Sequence, residues 1–450
     1  MSTTLAAAEA ESFAGHPKGL WYLVFTETWE RFSYYGMTAL LALYMVDELL
    51  LPGHVEHIAG FTALRHMLES ISGPMSTQAL AAQIVGLYSG LVYFTPLFGG
   101  LIADRWIGQR NAVVLGALSM TAGHLAMTFD QSFLVALLFL IVGSGLLKGN
   151  ISAQVGALYP VDDEARRNRG YVLFSTGINV GAVVGPLLCG LLAQVYGWHY
   201  GFGAAAILMV LGLATYLYGF RYLPARAAKT AVEKTKLTPA DWAVIAALGL
   251  VTSITVFESI AWYQSLDVLM LWIQHHVQLN VFGFHVPVPW FVSLNALASI
   301  VAVPLLFWIW NWQASHGGEP GEMGKIGTGA WIIAGCNLLL AAACFFYGAV
   351  PVNIVWPFLA TTGLGIGFVY YWPTLLSLVS RTAPPQTKST MMGAAFISLF
   401  VAGTIMGWLG GFYEKIGPAE FWALHAAIAA ATGVLVLLFG SRLSRALPSE

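Results

Sequence analysis

A chain of 450 residues that is 58% hydrophobic, 9% charged and has a mean hydropathy of +0.71 is excluded from the soluble globular class, where roughly a quarter of residues carry charge. The composition is that of a polytopic, all-α membrane protein. The formal net charge of −2 says little, because the charges are segregated by loop, and no nucleic-acid partner is expected.

Residues 1–17 contain Glu9 and Glu11 and lack a basic n-region, so they read as a cytoplasmic tail rather than a cleaved signal peptide. Hydropathy then predicts twelve spans, near 18–47, 79–103, 110–129, 132–158, 168–195, 198–220, 241–273, 288–312, 326–348, 352–380, 388–412 and 419–440. The loop from Asp47 to about Thr77 is the longest between spans and has room for a short surface helix. A basic linker, 221–240, separates the first six spans from the last six, and 441–450 form a C-terminal tail. Of 20 lysines and arginines, 16 fall on one side of this scheme, only Arg65 and Lys415 fall on the other, and Arg31 and Lys148 are intramembrane. One missed span would destroy that asymmetry, so the count is even and both termini are placed in the cytoplasm. Cys189, Cys336 and Cys344 lie within apolar segments, with no disulfide or metal-ligand spacing, and no cofactor is expected.

The first span carries Glu27-Thr28-Trp29-Glu30-Arg31-Phe32-Ser33-Tyr34-Tyr35-Gly36. Two carboxylates and a guanidinium in a spanning segment are costly unless they pair or face water. Glu27 and Arg31 are four apart and share a helical face, Tyr34 lies three further on, and Glu30 and Tyr34 are again four apart. The stripe suits an ion pair gluing two helices, but one base does not need two acids for that. A proton and substrate site accounts for the surplus.

Four further stretches carry information. Gly99 to Arg105, with Gly108 and Arg110, forms a glycine-rich charged turn between spans two and three and resembles the loop motif of the major facilitator superfamily. Lys148 is a lone base in the fourth span, flanked by Gly143, Gly145 and Gly149, and is the natural partner of the surplus acid. Asn179, within Gly177-Ile178-Asn179-Val180-Gly181, and Asn295, within Trp290 to Asn295, each suit either an interhelical hydrogen bond or a substrate contact.

The E-x-x-E-R-F-x-Y-Y-G run, Lys148 with Asn150, the G-I-N-x-G run and the S-L-N run together resemble the proton-dependent oligopeptide transporter family of the major facilitator superfamily, from Gly19 to about Gly411. The resemblance implies two six-helix bundles, 18–220 and 241–440, with a site at the midplane between them. It implies proton-driven uptake of di- and tripeptides at the cell (inner) membrane by a protein working as a monomer in the lipid bilayer. Glu27, Glu30, Arg31 and Lys148 then resemble the proton-coupling cluster. Arg31 and Lys148 would meet the peptide carboxylate, Tyr34, Tyr35 and Tyr93 would line the pocket, and Asn179 and Asn295 would bond the peptide backbone or amine.

The sequence departs from the family in two places. The seventh-span acid that normally precedes a glutamine is replaced by Tyr263 before Gln264, leaving Glu258 and Asp267, about one turn away on either side, as possible substitutes. The tenth-span glutamate that holds the peptide amine is replaced by Phe368, beside Tyr370, Tyr371 and Trp372. These changes leave open a modified peptide, an amino acid derivative or a small organic anion carried by the same machinery. An intramembrane enzyme is disfavoured, because His124, His275, His276 and His425 are scattered and no G-x-S-x-G occurs.

Overall fold

A computed structural model of the chain describes residues 12–160, 163–224 and 236–447. The middle of the expected linker, 225–235, and most of the expected N-terminal tail lie outside the described residues. The chain divides into two compact units, Met1–Leu64 with Phe94–Thr230, and Arg65–Tyr93 with Ala231–Glu450.

In chain order, an antiparallel hairpin of β1 (Ser12–Phe13) and β2 (His16–Pro17) leads into α1 (Lys18–Tyr44), which runs on through a π-helical turn at Met45–Leu49. The long loop holds the expected short helix, α2 (Phe61–Ser72), and is followed by α3 (Thr77–Ile102), α4 (Gln109–Ala126), α5 (Phe133–Ala157), α6 (Glu164–Tyr196) and α7 (Trp198–Gly219). Gly108, at φ +78, makes the turn into α4, in a region of φ that costs glycine nothing. In the first unit α1 packs against α6 and α7, and α4 against α5 and α7.

The second half opens on α8 (Pro239–Tyr263), started by a capping box in which Thr238 and Asp241 satisfy each other's backbone N–H, with Pro239 as the first helical residue. The seventh span, expected as one helix over 241–273, is broken. A 3-10 turn, Gln264–Leu266, and then Asp267 at φ −129, ψ −105 separate α8 from α9 (Val268–His276). The Asp267 N–H bonds back only three residues, to the Gln264 carbonyl at 3.2 Å, so the α-helical ladder stops there. Next come β3 (Val277–Gln278), a hairpin of β4 (Asn280–Val281) and β5 (Phe284–His285), α10 (Trp290–His316), α11 (Glu322–Tyr347), β6 (Val352–Asn353), α12 (Val355–Thr382), α13 (Lys388–Gly410), the single turn α14 (Tyr413–Ile416) and α15 (Pro418–Ala446). The strands β3 and β6 pair in parallel, Val277 with Val352.

Twelve of the described helices have 18 residues or more. Ten are long and apolar enough to cross a membrane by themselves. The other two are α4, which is short and opens on Gln109-Arg110-Asn111, and α1, whose apolar run is interrupted by Glu27, Glu30 and Arg31. The spanning helix whose apolar run is broken by charge is the one that carries the candidate site.

Glycine sets two of the closest helix approaches. In the first unit a Cβ on Gly181 of α6 would stand 2.7 Å from both the Arg31 Cβ and the Thr28 carbonyl oxygen of α1, and one on Gly185 would stand 2.5 Å from the Phe32 carbonyl oxygen. In the second unit a Cβ on Gly86 of α3 would stand 2.6 Å from the Gly403 carbonyl oxygen and the Gly407 Cα of α13. The side-chain amide of Gln78 donates to the Gly410 carbonyl at 3.2 Å at the end of that seam.

Candidate functional site

The first unit builds a buried cluster of acids, bases and phenols on α1. Gly177, Gly181 and Gly185 recur every four residues and give α6 a bare stripe, into which the backbone of α1 settles from Val24 to Phe32. From the other flank the Ser33 hydroxyl donates to the Ala205 carbonyl of α7 at 2.7 Å. The helix is thereby held on two sides, and Glu27, Glu30, Arg31 and Tyr34 are all buried. Arg31 Nε lies 3.0 Å from Glu27 Oε1, and Arg31 also ion-pairs with Glu30. These are charge contacts more than aligned hydrogen bonds, because Glu27 Oε2 and both Glu30 oxygens make no hydrogen bond among the described residues.

Lys148 reaches the same place from α5. Asn150, two residues on, donates to the Gly99 carbonyl at 3.3 Å and the Leu146 carbonyl at 2.8 Å. A Cβ on Gly145 would stand 2.7 Å from the Thr95 Cβ, so glycine lets α5 come close enough to deliver the lysine. Lys148 Nζ lies 4.6 Å from the centroid of the Tyr34 ring, and Arg31 Cζ lies 5.3 Å from the same centroid. One phenol ring therefore serves two cations, each attracted by the ring quadrupole. Tyr35 meets Tyr34 edge-on at 5.1 Å. Both acids contact Arg31, and Lys148, over the ring, is within electrostatic reach of both.

Asn179 is exposed, two residues from Gly177 and from Gly181, and so lies on the far face of α6 from α1.

The remaining candidates belong to the second unit. Tyr93 and Tyr263 meet edge-on at 6.2 Å. Phe368 stacks on Trp262 at 4.7 Å and meets Tyr371 edge-on at 5.7 Å, and Trp372 meets Phe396 at 5.8 Å. The tenth-span position is thus filled by a continuous aromatic stack. The Asn295 amide donates to the Thr361 carbonyl at 3.4 Å, joining α10 to α12. The Gln264 amide nitrogen donates to the Met406 carbonyl at 3.1 Å and stands 3.1 Å from His425 Nε2. Glu258 and Asp267 are both fully buried, and neither carboxyl group has a hydrogen-bond partner among the described residues.

Two features were missed by sequence reasoning. The four-residue glycine spacing on α6 was readable, as the small-xxx-small signature of close helix approach. The second, a polar knot in the first unit, left no signal. There Tyr44 donates to Asp130 at 2.5 Å, and His54 and His199 lie 2.9 and 3.3 Å from the same carboxylate. The hydrogen bond to Asp130 holds His54 above the usual histidine range.

Comparison with known proteins follows the same lines. The Major Facilitator Superfamily model matches residues 30–407. An uncharacterized transporter, YclF, of Bacillus subtilis (strain 168) is 28% identical over 97% of this chain and 96% of its own length. A di-/tripeptide transporter of Lactococcus lactis subsp. cremoris is 28% identical over 95% of this chain and 96% of its own. Among solved structures, a mutant of the peptide transporter POT in complex with alafosfalin superposes with a TM-score of 0.84 at 27% identity, covering 97% of each chain.

Proposed function

The chain belongs to the Major Facilitator Superfamily, and from that premise we propose that it is a proton-coupled symporter importing di- and tripeptides by alternating access. The observation that carries this reading is the convergence of two acids and two bases around the Tyr34 ring. The similarity to di-/tripeptide transporters supports the substrate class. Glu27 and Glu30 carry the proton, and Arg31 and Lys148 take the substrate carboxylate. When that carboxylate engages Arg31, the acids lose part of their partner. An unpaired carboxylate in a dry site is expensive, so one of them accepts a proton and travels neutral. Tyr34, Tyr35, Tyr93, Asn179, Tyr263, Gln264, Asn295, Phe368 and Trp372 contribute the pocket. In the conformation described, Gln264 and Asn295 hold neighbouring helices.

The working unit is a monomer in the cell (inner) membrane, with 18–220 and 241–440 as its two six-helix bundles and both termini in the cytoplasm. The Lys/Arg asymmetry supports that orientation. In intact cells Lys388→Cys is expected to resist an impermeant thiol reagent, while Arg65→Cys is modified. The reverse pattern overturns the topology.

The aromatic stack at Phe368 favours one refinement, a substrate whose amine end is weakly selected. A cation–π contact is worth about 0.5–2 kcal/mol, against about 1.5–3 kcal/mol for a hydrogen bond to a charged group. An N-acetylated dipeptide should therefore compete within about tenfold of the free dipeptide, while a C-terminally amidated one should lose more than about tenfold, each 1.4 kcal/mol being a factor of ten. Strict dependence on a free amine would instead assign the amine to Asp267 or Glu258, and Asp267→Asn or Glu258→Gln would then erase the dependence.

A further inference from the structure

From Val277 to Trp290 the chain contains no Asp, Glu, Lys or Arg, although this stretch lies outside the long helices, between the end of α9 and the start of α10. Its centre is the hairpin of β4 and β5, with Asn280 opposite His285 and Val281 opposite Phe284. The two turn residues, Phe282 and Gly283, have φ of 52° and 82°. Positive φ at both central positions is the pattern of a type I′ turn, which strongly prefers Asn-Gly or Asp-Gly. A bulky side chain in that region is an outlier held against a steric cost. Here the strained position holds a phenylalanine whose side chain is fully exposed, at 107%. Phe284 is also exposed, and it leans on the Trp290 ring at 5.5 Å.

A single exposed apolar residue needs no explanation. A strained, fully exposed aromatic tip on a hairpin without Asp, Glu, Lys or Arg does. The hairpin starts four residues after α9 ends and stops five before α10 begins, so at about 3.3 Å per residue its tip at Phe282, six residues from α9, lies no more than roughly 20 Å from that helix end. α10 is one of the ten helices able to cross a membrane, and its exposed Leu297 and Val301 continue the apolar surface away from Trp290. Trp concentrates where such a surface meets the headgroups, and Phe joins it on the apolar side of elements that lie in that interface.

We propose that the Asn280–His285 hairpin is a membrane-surface anchor, with the Phe282 ring seated among the lipid headgroups beside α10. Its partner is the lipid surface, because the exposed tip is continuous through Phe284 and Trp290 with the helix face that meets lipid and has no Asp, Glu, Lys or Arg to keep it in water. Through β3 and its pairing with β6, the anchor is tied to the start of α12 as well as to the ends of α9 and α10.

The test is nitroxide depth measurement on Phe282→Cys in phosphatidylcholine vesicles. Labelled wild-type protein serves as the blank, because the native cysteines are buried or half-buried. The expected result is strong relaxation by oxygen and weak relaxation by an aqueous nickel chelate, between a lipid-facing label at Val301→Cys and a water-facing label at Glu56→Cys. Strong relaxation by the chelate places the tip in water and overturns the proposal. Shielding from both reagents places it against protein and also overturns it. A second variant, Phe282→Asn, installs a residue the turn prefers and should fold normally. With the label moved to Phe284→Cys, it is expected to shift that label at least severalfold toward the chelate, and an unchanged ratio removes Phe282 from the anchor.

Discussion

Arg31→Leu is expected to abolish proton-driven uptake and to destabilise the protein by about 3–5 kcal/mol, the cost of breaking a buried pair by removing one partner. Arg31 is the contact shared by Glu27 and Glu30, and the side chains of all three are less than 10% exposed. Lys148 is in electrostatic reach of both acids, but its ammonium group lies over the Tyr34 ring. Proteoliposome uptake under an imposed proton gradient measures the first effect and thermal unfolding in detergent the second. The double variant Arg31→Leu with Glu30→Gln separates them, since it should recover much of the stability and none of the transport. Glu30→Gln alone should still bind substrate but lose accumulation against a gradient. Undiminished concentrative uptake in both Glu27→Gln and Glu30→Gln would remove the acids from the coupling step.

Gly181→Leu is expected to prevent the first unit from assembling. The three atoms nearest an added Cβ are the Arg31 Cβ at 2.7 Å, the Thr28 carbonyl oxygen at 2.7 Å and the Phe32 nitrogen at 2.8 Å. Two belong to backbone and the third is fixed to it, so no rotamer change relieves the clash. Overpacking a core commonly costs 1–3 kcal/mol, and a rigid neighbour sets the cost at about the upper end or beyond. Little monodisperse protein should survive size-exclusion chromatography. Gly203→Leu is the matched control, because an added Cβ there meets nothing within 4 Å. Equal recovery of the two variants would show that α1 does not depend on the bare stripe of α6.

The part of this molecule legible in its sequence is the part written in local spacing. Twelve spans followed from hydropathy, even for α1, because its three charges cluster and leave apolar runs on both sides. The contact between Glu27 and Arg31 followed from a spacing of four. That Glu30 would also reach Arg31 did not follow, because adjacent residues point about 100° apart on a helix and only a long guanidinium side chain closes that gap. The break at Asp267 was hidden, because Gln264-Ser265-Leu266 contains neither Gly nor Pro to announce it. The contact of Gln264 with His425 spans 161 residues, and no period in the chain connects them.

The seam between α3 and α13 bears on how such a molecule can move. Where Gly86 and Gly90 face Gly403 and Gly407, main chain lies directly on main chain. An ordinary helix contact interlocks like gear teeth, and parting it forces side chains out of their rotamers. Around Gly86, Gly403 and Gly407 the nearest atoms are all backbone, and only at Gly90 do side chains, the Phe400 ring and the Thr404 hydroxyl, enter the seam. A contact this bare leaves few side chains that would have to change rotamer if it parted. The Gln78 amide at one end, bonded to the Gly410 carbonyl, fixes the register of the contact. The smoothness of a bearing is built into this contact by leaving out everything beyond the Cα atom.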